Sequence, residues 1–315
     1  MISIIMTVYN GADYLPAAVD SLLSQSFTDW ELLLVDDGSN DGITPALTDS
    51  YASDERVRVF HTENRGLASA RNFALPRIRG EYVAFLDADD ILHPQFLKAL
   101  SNTAAETDAD IVFCRFKLFS KEAPFPQKKY PHFTHSVHTP VEVIEKTMYQ
   151  TGFGNSLSGK IYRSELWKNL RLRDGTYYED LDIFYHPIYA SHKIAMVPVE
   201  MYGYRQHPGS YLHVFKSSRL DALDAVDRME QWTAATIPAL LPAARDRRMS
   251  AHFNILNLAY RNKAATPELE RRCLDVIRQY GPASLRNKKV RIKNRLGGLL
   301  SLFPRSVISA ILKIF

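Results

Sequence analysis

A chain of 315 residues with 46% hydrophobic and 23% charged side chains holds enough apolar material for a large core, which excludes a disordered or fibrous protein. The net charge of +4 is local, because residues 286–295 alone carry six basic side chains and no acid; the charge balance therefore does not mark a nucleic-acid-binding protein. The two cysteines, Cys114 and Cys273, exclude a disulfide scaffold and lack metal-ligand spacing, and they fit a reducing compartment.

The first eight residues are apolar but carry neither the basic stretch nor the small-residue cleavage site of a secretory signal. Residues 3–8 therefore read as a strand, ended by Tyr9-Asn10-Gly11. Leu15, Val19, Leu22 and Leu23 fall on one helical face and predict a helix over 12–26, with Pro16 in its first turn. A second strand follows over 31–35 and runs into Asp36-Asp37-Gly38-Ser39-Asn40-Asp41. A helix to about 53, a strand at 57–60 and a helix at 66–75 holding Arg71 come next. The fourth strand, 82–86, leads into Asp87-Ala88-Asp89-Asp90. A helix at 94–106 and a strand at 111–116 complete this part.

Alternation of helices with short, continuously apolar strands predicts an α/β fold with a mostly parallel, Rossmann-like sheet covered on both faces. In such sheets ligands bind beyond the carboxyl ends of the strands. The polar clusters Tyr9-Asn10, Asp36-Asp37 and 87–90 all lie there. Asp87 and Asp89 alternate, so on an extended chain they point the same way and repel each other. A hard divalent cation such as Mg²⁺, which also takes substrate phosphates, would relieve that repulsion. The other reading is that Asp89 or Asp90 caps the helix near Pro94.

Residues 117–140, rich in Pro, Lys and His, read as a surface loop. His132, His135 and His138 recur at spacing three without a nearby Cys or acid to complete a zinc site. A helix at 141–150 and a strand or turn with a short helix at 158–170 lead to Asp174, Glu179, Asp180 and Asp182. These acids stand at the entry of a helix that Pro187 is placed to kink. Short strands are expected at 194–197 and 201–204. Beyond 218 the pattern is helical, with breaks at 238–242 and near 266–267. The expected organisation is a catalytic domain over 1–215, a helical region over 216–285 and a basic amphipathic tail over 286–315. That tail reads either as an interfacial anchor or as a helix packed on the protein with a solvated basic face; no stretch of roughly 18 uncharged apolar residues is present to span a bilayer.

Taken together, five blocks resemble the family 2 glycosyltransferases with the GT-A fold, of the kind found in bacterial capsule, lipopolysaccharide and exopolysaccharide synthesis. They are Ile5-Met6-Thr7-Val8-Tyr9-Asn10, Val35-Asp36-Asp37-Gly38-Ser39-Asn40-Asp41, Glu63-Asn64-Arg65-Gly66-Leu67-Ala68-Ser69-Ala70-Arg71-Asn72, Phe85-Leu86-Asp87-Ala88-Asp89-Asp90, and Tyr178-Glu179-Asp180 with Tyr204-Arg205 following. The likeness covers roughly the first 210 residues. It implies that Thr7 and Tyr9 line the nucleotide base, that Asp37 bonds the uracil, and that Arg71 serves the base and phosphate side. It implies Asp89 as the direct ligand of Mn²⁺ or Mg²⁺, with Asp87 toward the ribose or the metal shell. Asp180 matches the general base, with Glu179 its neighbour. Arg205, His207 and Ser210 fall where a loop closes over the diphosphate, and His207 is a candidate third metal ligand. The sequence departs from the family at Thr7, where many relatives have proline, at His207 and at Pro187.

The implied reaction is inverting transfer of a sugar from a nucleotide-diphosphate donor, a UDP-sugar through Asp37, to a hydroxyl of a glycan or lipid-linked acceptor. The leaving diphosphate gains negative charge, which a cation offsets, and the acceptor hydroxyl loses a proton, which a carboxylate takes. One rival is a nucleotidyltransferase, although its basic triphosphate loop has no counterpart in Tyr9-Asn10-Gly11-Ala12-Asp13. Another is a non-catalytic module that binds nucleotide-sugar or membrane. The expected location is cytoplasmic, with the tail leaving peripheral contact with the inner face of the plasma membrane open.

Overall fold

The computed structural model describes residues 1–120, 125, 133–207 and 215–314. The chain divides into two compact units: Met1–Pro140 with Ser156–Gly175 and Ile183–Pro208, and Val141–Asn155 with Thr176–Asp182 and Gly209–Phe315.

The first unit is built on one sheet with nine strands among the described residues. They are β1 (Ile2–Val8), β2 (Trp30–Asp36), β3 (Val57–His61), β4 (Tyr82–Asp87), β5 (Ile91–Leu92), β6 (Ile111–Phe119), β7 (Ser136–His138), β8 (Lys160–Arg163) and β9 (Ile194–Arg205). Their order is β3-β2-β1-β4-β8-β6-β9-β5, with β7 on β9. The half from β3 to β4 is parallel, as the continuous apolar strands predict; β8 then runs antiparallel to both β4 and β6, and β6 pairs parallel to β9. Helices α1 (Leu15–Leu23), α2 (Thr44–Ser50), α3 (Leu67–Ala74) and α4 (Phe96–Thr107) follow β1, β2, β3 and β5. Ile4, Leu22, Leu32, Leu34, Leu86 and Phe96 form part of one buried cluster, where truncating a leucine to alanine costs about 2–5 kcal/mol.

Register places the site. Thr7 stands opposite Val35 on one side and Asp87 on the other, and Val8 stands opposite Asp36. Three strands therefore end level, and the residues that follow them emerge on one rim.

Several elements differ from expectation. Helix α1 starts at Leu15 rather than 12, because Tyr14 and Leu15 both donate backbone N–H to the Gly11 carbonyl and the turn occupies that stretch. Asp89 and Asp90 do not cap α4. The chain turns at Asp90 N–H to Asp87 O (3.0 Å), runs through β5, and the N–H of Gln95 donates to His93 Nδ1 at the start of α4. The loop expected at 117–140 is partly strand: β6 continues to Phe119, and β7 pairs with the start of β9. Ser136 and His138 bond each other and His135 lies 3.7 Å from Glu106; His132 lies outside the described residues. The two short strands at 194–197 and 201–204 are one strand, β9, with a register shift against β6 between Phe113 and Phe116. Pro198 falls in that irregular stretch, where its missing N–H costs no ladder bond.

The remaining helices are α5 (Pro140–Met148), α6 (Glu179–Ile183), α7 (Tyr185–Ala190), α8 (Asp221–Thr236), α9 (Leu241–Arg261), α10 (Pro267–Arg286), α11 (Ile292–Leu300) and α12 (Arg305–Ile314). Pro187 does not kink a helix. The chain breaks at Phe184, and Pro187 sits in the first turn of α7, where a missing N–H is harmless.

In the second unit α9 packs against α8, α10, α11 and α12. The breaks expected at 238–242 and 266–267 are present as a 3₁₀ turn at Pro238–Leu240 and a cap at Thr266, whose Oγ1 accepts from Leu269 N–H (3.2 Å). Arg248 ties α9 to Asp227 and Glu230 of α8, and Arg272 ties α10 to Asp224 and Asp227. Helix α11 lies on α10 backbone to backbone. A Cβ on Gly298 would stand 2.6 Å from the Gly281 carbonyl oxygen, so only glycine permits this approach.

Candidate active site

The rim of the first unit holds a cleft of about 340 Å³ lined by Thr7, Tyr9, Tyr14, Asp87, Asp89 and His207 among others. A larger cleft, about 890 Å³, is lined by Leu75, Arg79, Gly80, Arg163 and Trp167. It lies near the start of β4, at the opposite end of the strands from the acids, so the chemistry and not the volume selects the smaller one.

The strand ends supply the acids. Asp87 closes β4. Its Oδ1 accepts from Arg71 Nη2 (2.7 Å) and its Oδ2 accepts from Ser158 Oγ (3.0 Å). The Arg71 side chain is buried in α3, so it meets Asp87 with little water between them. Asp89 points its Oδ2 at His207 Nε2 (3.2 Å), and the His207 ring packs on Tyr14 at 4.9 Å. Burial and the Asp87 charge push the Asp89 carboxyl up. Asp90 is fully buried. Its Oδ1 accepts the Arg205 N–H (2.8 Å), and its Oδ2 has no hydrogen-bond partner among the described residues. Burial, then the charges of Asp87 and Asp89, push Asp90 up to about 9. Three acids are thus crowded at one turn.

Strand β9 delivers the other half. Its Tyr202 hydroxyl accepts the Asp87 N–H (3.3 Å). Its last residue, Arg205, donates Nε to the Asp89 carbonyl (2.7 Å) and lies over the Tyr14 and Phe119 rings. His207 follows two residues later.

Asp37 sits beyond the next strand end. It is buried, and its two oxygens accept the N–H groups of Arg65 (3.0 Å) and Gly66 (2.8 Å). Gly66 has φ +87, a conformation that lets it open α3 while aiming its N–H at the carboxylate. Oδ1 also accepts from Thr62 Oγ1 (3.5 Å), and Oδ2 keeps a second lone pair for a further donor. Asp36 is a structural residue, bonded to Ser39 N–H (3.0 Å) and His61 Nδ1 (2.9 Å). The other His61 nitrogen lies 2.9 Å from Asp49, and the hydrogen bonds to Asp49 and Asp36 push the imidazole up.

Thr7, Tyr9, Asp87, Asp89 and His207 therefore share one cleft, with Arg71, Arg205 and Asp37 in the surrounding layer. Ser210 lies outside the described residues. Asp180 and Glu179 belong to the second unit. There Asp180 Oδ2 accepts from Asn155 Nδ2 (2.9 Å) and its Oδ1 accepts the Leu181 N–H (2.7 Å). Glu179 is buried. Tyr178, just before, holds φ +67 and accepts from Arg219 Nη1 (2.6 Å). Arg247 is half-buried in the same unit, and burial pulls its guanidinium down to about 10 although the Asp180 charge opposes this.

The sequence reading missed Ser158, Asn155, Tyr14 and the loop pair Asn10–Asn40. In that pair each side-chain amide bonds the other residue (2.9 Å each), with Asn10 at φ +48. Asn10 before Gly11 signals a left-handed turn; Ser158 and Asn155 carry no local signal.

The acids fit a divalent cation. Asp87 pairs with Arg71 and Asp89 faces His207, yet burial and the neighbouring carboxylates still push both Asp89 and Asp90 up, so oxygen ligands are crowded where a cation would offset their charge. Among the described residues no three acid, His or Cys side chains are preassembled as a metal cage.

Strands ending level around an acid turn, with an arginine at the end of a late strand and a histidine just beyond it, make a polar ligand-binding rim of an α/β sheet. Residues 3–171 match the family described as Glycosyl transferase family 2, and the chain belongs to that family. It is similar to the glycosyltransferase GlyA of Streptococcus pneumoniae, 28% identical over 84% of this chain and 38% of GlyA. It is also similar to EpsJ of Bacillus subtilis, named as an uncharacterized glycosyltransferase, 31% identical over 68% of this chain and 63% of EpsJ. The chain thus spans less than two thirds of either relative. Among solved structures, S. aureus TarS 1–349 in complex with UDP-GlcNAc superposes with a TM-score of 0.68 at 18% identity, covering 99% of this chain and 89% of that one. The fold is GT-A.

Proposed function

We propose that this protein is an inverting glycosyltransferase that moves a sugar from a UDP-sugar to a hydroxyl of a glycan or lipid-linked acceptor in surface polysaccharide synthesis. The observation that carries the reading is the gathering of Asp87, Asp89 and His207 around a cleft whose other wall is Thr7 and Tyr9. The family supports sugar transfer, and the UDP-GlcNAc held by TarS supports a uridine donor.

Thr7 and Tyr9 take the base, and Asp37 accepts from the uracil with a lone pair that the Arg65 and Gly66 N–H groups leave free. Asp89 and His207 would hold Mn²⁺ or Mg²⁺, with Asp87 in the shell around it. When bound, the ion offsets charge on the leaving diphosphate. Arg205 stands at the same rim and adds positive charge there, while Arg71 keeps Asp87 oriented. Asp180 takes the proton of the acceptor hydroxyl, held in orientation by Asn155, with Glu179 beside it. One base and a single displacement invert the anomeric carbon.

The test is a thermal-shift screen of nucleotide-sugars with and without Mn²⁺, since a ligand that binds only the native state raises Tm. A UDP-sugar should raise Tm with Mn²⁺ present and much less without it. Asp89→Ala should abolish the metal-dependent part. An equal UDP-sugar shift in that variant would overturn the metal assignment.

A further inference from the structure

Residues 276–315 contain nine Lys or Arg and no Asp or Glu. The structure shows how part of this stretch is displayed. The inner face of α11 is buried through Asn294, Gly297 and Gly298. Val290 before the helix and Ile308 after it are buried as well. With Gly298 pressed on the Gly281 backbone, α11 cannot roll, and its outer face is fixed.

That outer face is apolar. Ile292, Leu296 and Leu299 are 74%, 60% and 42% exposed, and spacings of four and three put them on one side of the helix. The turn after α11 adds Leu302 and Phe303, and α12 adds Val307, all exposed. Fifteen large apolar side chains are exposed among the described residues, and six of them fall within 292–307. Scattered exposed apolar residues are ordinary, whereas a concentrated row marks a docking face. Arg286, Lys288 and Lys293, in the same stretch, are exposed too, while Lys289 is paired with Glu145 at 2.7 Å.

We infer that this row docks on an anionic lipid surface and holds the protein peripherally in the headgroup layer. Charge complementarity selects the occupant. A stretch with only positive side chains requires a negative partner, and the apolar row requires that partner to offer an apolar layer next to its charge. An anionic bilayer offers both, with lysine stems lying along the apolar boundary and their ammonium groups at the phosphates. No helix among the described residues is long and apolar enough to cross a membrane, so the contact is along the surface. This inference stands apart from the sugar-transfer reading and does not depend on it.

The experiment is flotation of the full chain with two kinds of vesicle, phosphatidylcholine alone and phosphatidylcholine mixed with phosphatidylglycerol, at low and high salt. The protein should float with the mixed vesicles at low salt, stay behind with the neutral ones, and be released by salt. Reversing Lys288 and Lys293 to Glu should weaken partitioning by about fivefold or more per side chain. The double substitution Ile292→Glu with Leu296→Glu should remove partitioning while leaving Tm unchanged, because both side chains are exposed. Failure of the wild type to float, or equal flotation of the Ile292→Glu, Leu296→Glu variant, would overturn the inference. So would a dimer, seen by light scattering, that this variant converts to monomer without any vesicle binding, since a second copy would then cover the face. Binding of an oligonucleotide with no vesicle binding would likewise overturn it.

Discussion

Replacing Arg71 tests how the acid turn is held. Its guanidinium lies 2.7 Å from Asp87 Oδ1 with the arginine side chain 5% and the aspartate 31% exposed. At that distance an effective dielectric of about 20 gives a pair energy of about 6 kcal/mol, and the exposed third of Asp87 reduces it. Breaking such a pair from one side costs about 3 kcal/mol, because Asp87 is left beside Asp89 and the Ser158 hydroxyl offers no charge. Arg71→Met should therefore lower Tm by several degrees. In the background of Asp87→Asn the same substitution should cost much less, giving a coupling energy of about 2 kcal/mol or more. Mn²⁺ should restore part of the Arg71→Met loss, because it supplies the charge that the arginine no longer does. Thermal melts of the four proteins, with and without Mn²⁺, measure all of this. Additive effects of the two substitutions would refute the reasoning.

Three further outcomes are expected. Asp180→Asn should keep the UDP-sugar-dependent Tm shift and lower the transfer rate by about 10²–10⁴-fold; full turnover would move the base elsewhere. Gly298→Ala should destabilise by about 1–3 kcal/mol and speed proteolytic cleavage between α10 and α11, and an unchanged melt and digest would show that the helices separate freely. His61 is raised by Asp49 and Asp36, so its stabilising contribution is full below its unfolded pKa of about 6.5 and fades as pH rises through its folded value. The Tm difference between wild type and His61→Asn should accordingly shrink from mildly acidic to alkaline pH, and a difference that grows with pH would contradict the pairing.

The parallel half of the sheet was legible because β1, β2 and β4 are apolar on both faces and end at acids or turn residues. The level strand ends then follow from pairing alone. Strand β9 was not legible as one element, since Pro198 looks like a stop until a neighbouring strand is present to accommodate an irregularity. The same limit applies to α6 and α7: Pro187 announces a disturbance, but the break lies three residues earlier. Asp87, Asp89 and His207 could be proposed from motif order, whereas Ser158 and Asn155 could not. They meet their carboxylates across 71 and 25 residues of chain, and a serine or asparagine in a loop looks alike whether or not an acid arrives beside it.

Strand β9 touches the acid turn at Asp87 N–H, Asp90 Oδ1 and the Asp89 carbonyl through residues only three positions apart. A slip of one residue would undo all three at once. The acid end of the cleft is consequently locked to the backbone of the core, while Tyr9 and Asn10 stand on the loop after β1 and, among the described residues, have no hydrogen bond to that strand. Divergence among descendants of this scaffold should concentrate at the loop-borne wall, so that recognition can drift while the charged end is inherited intact.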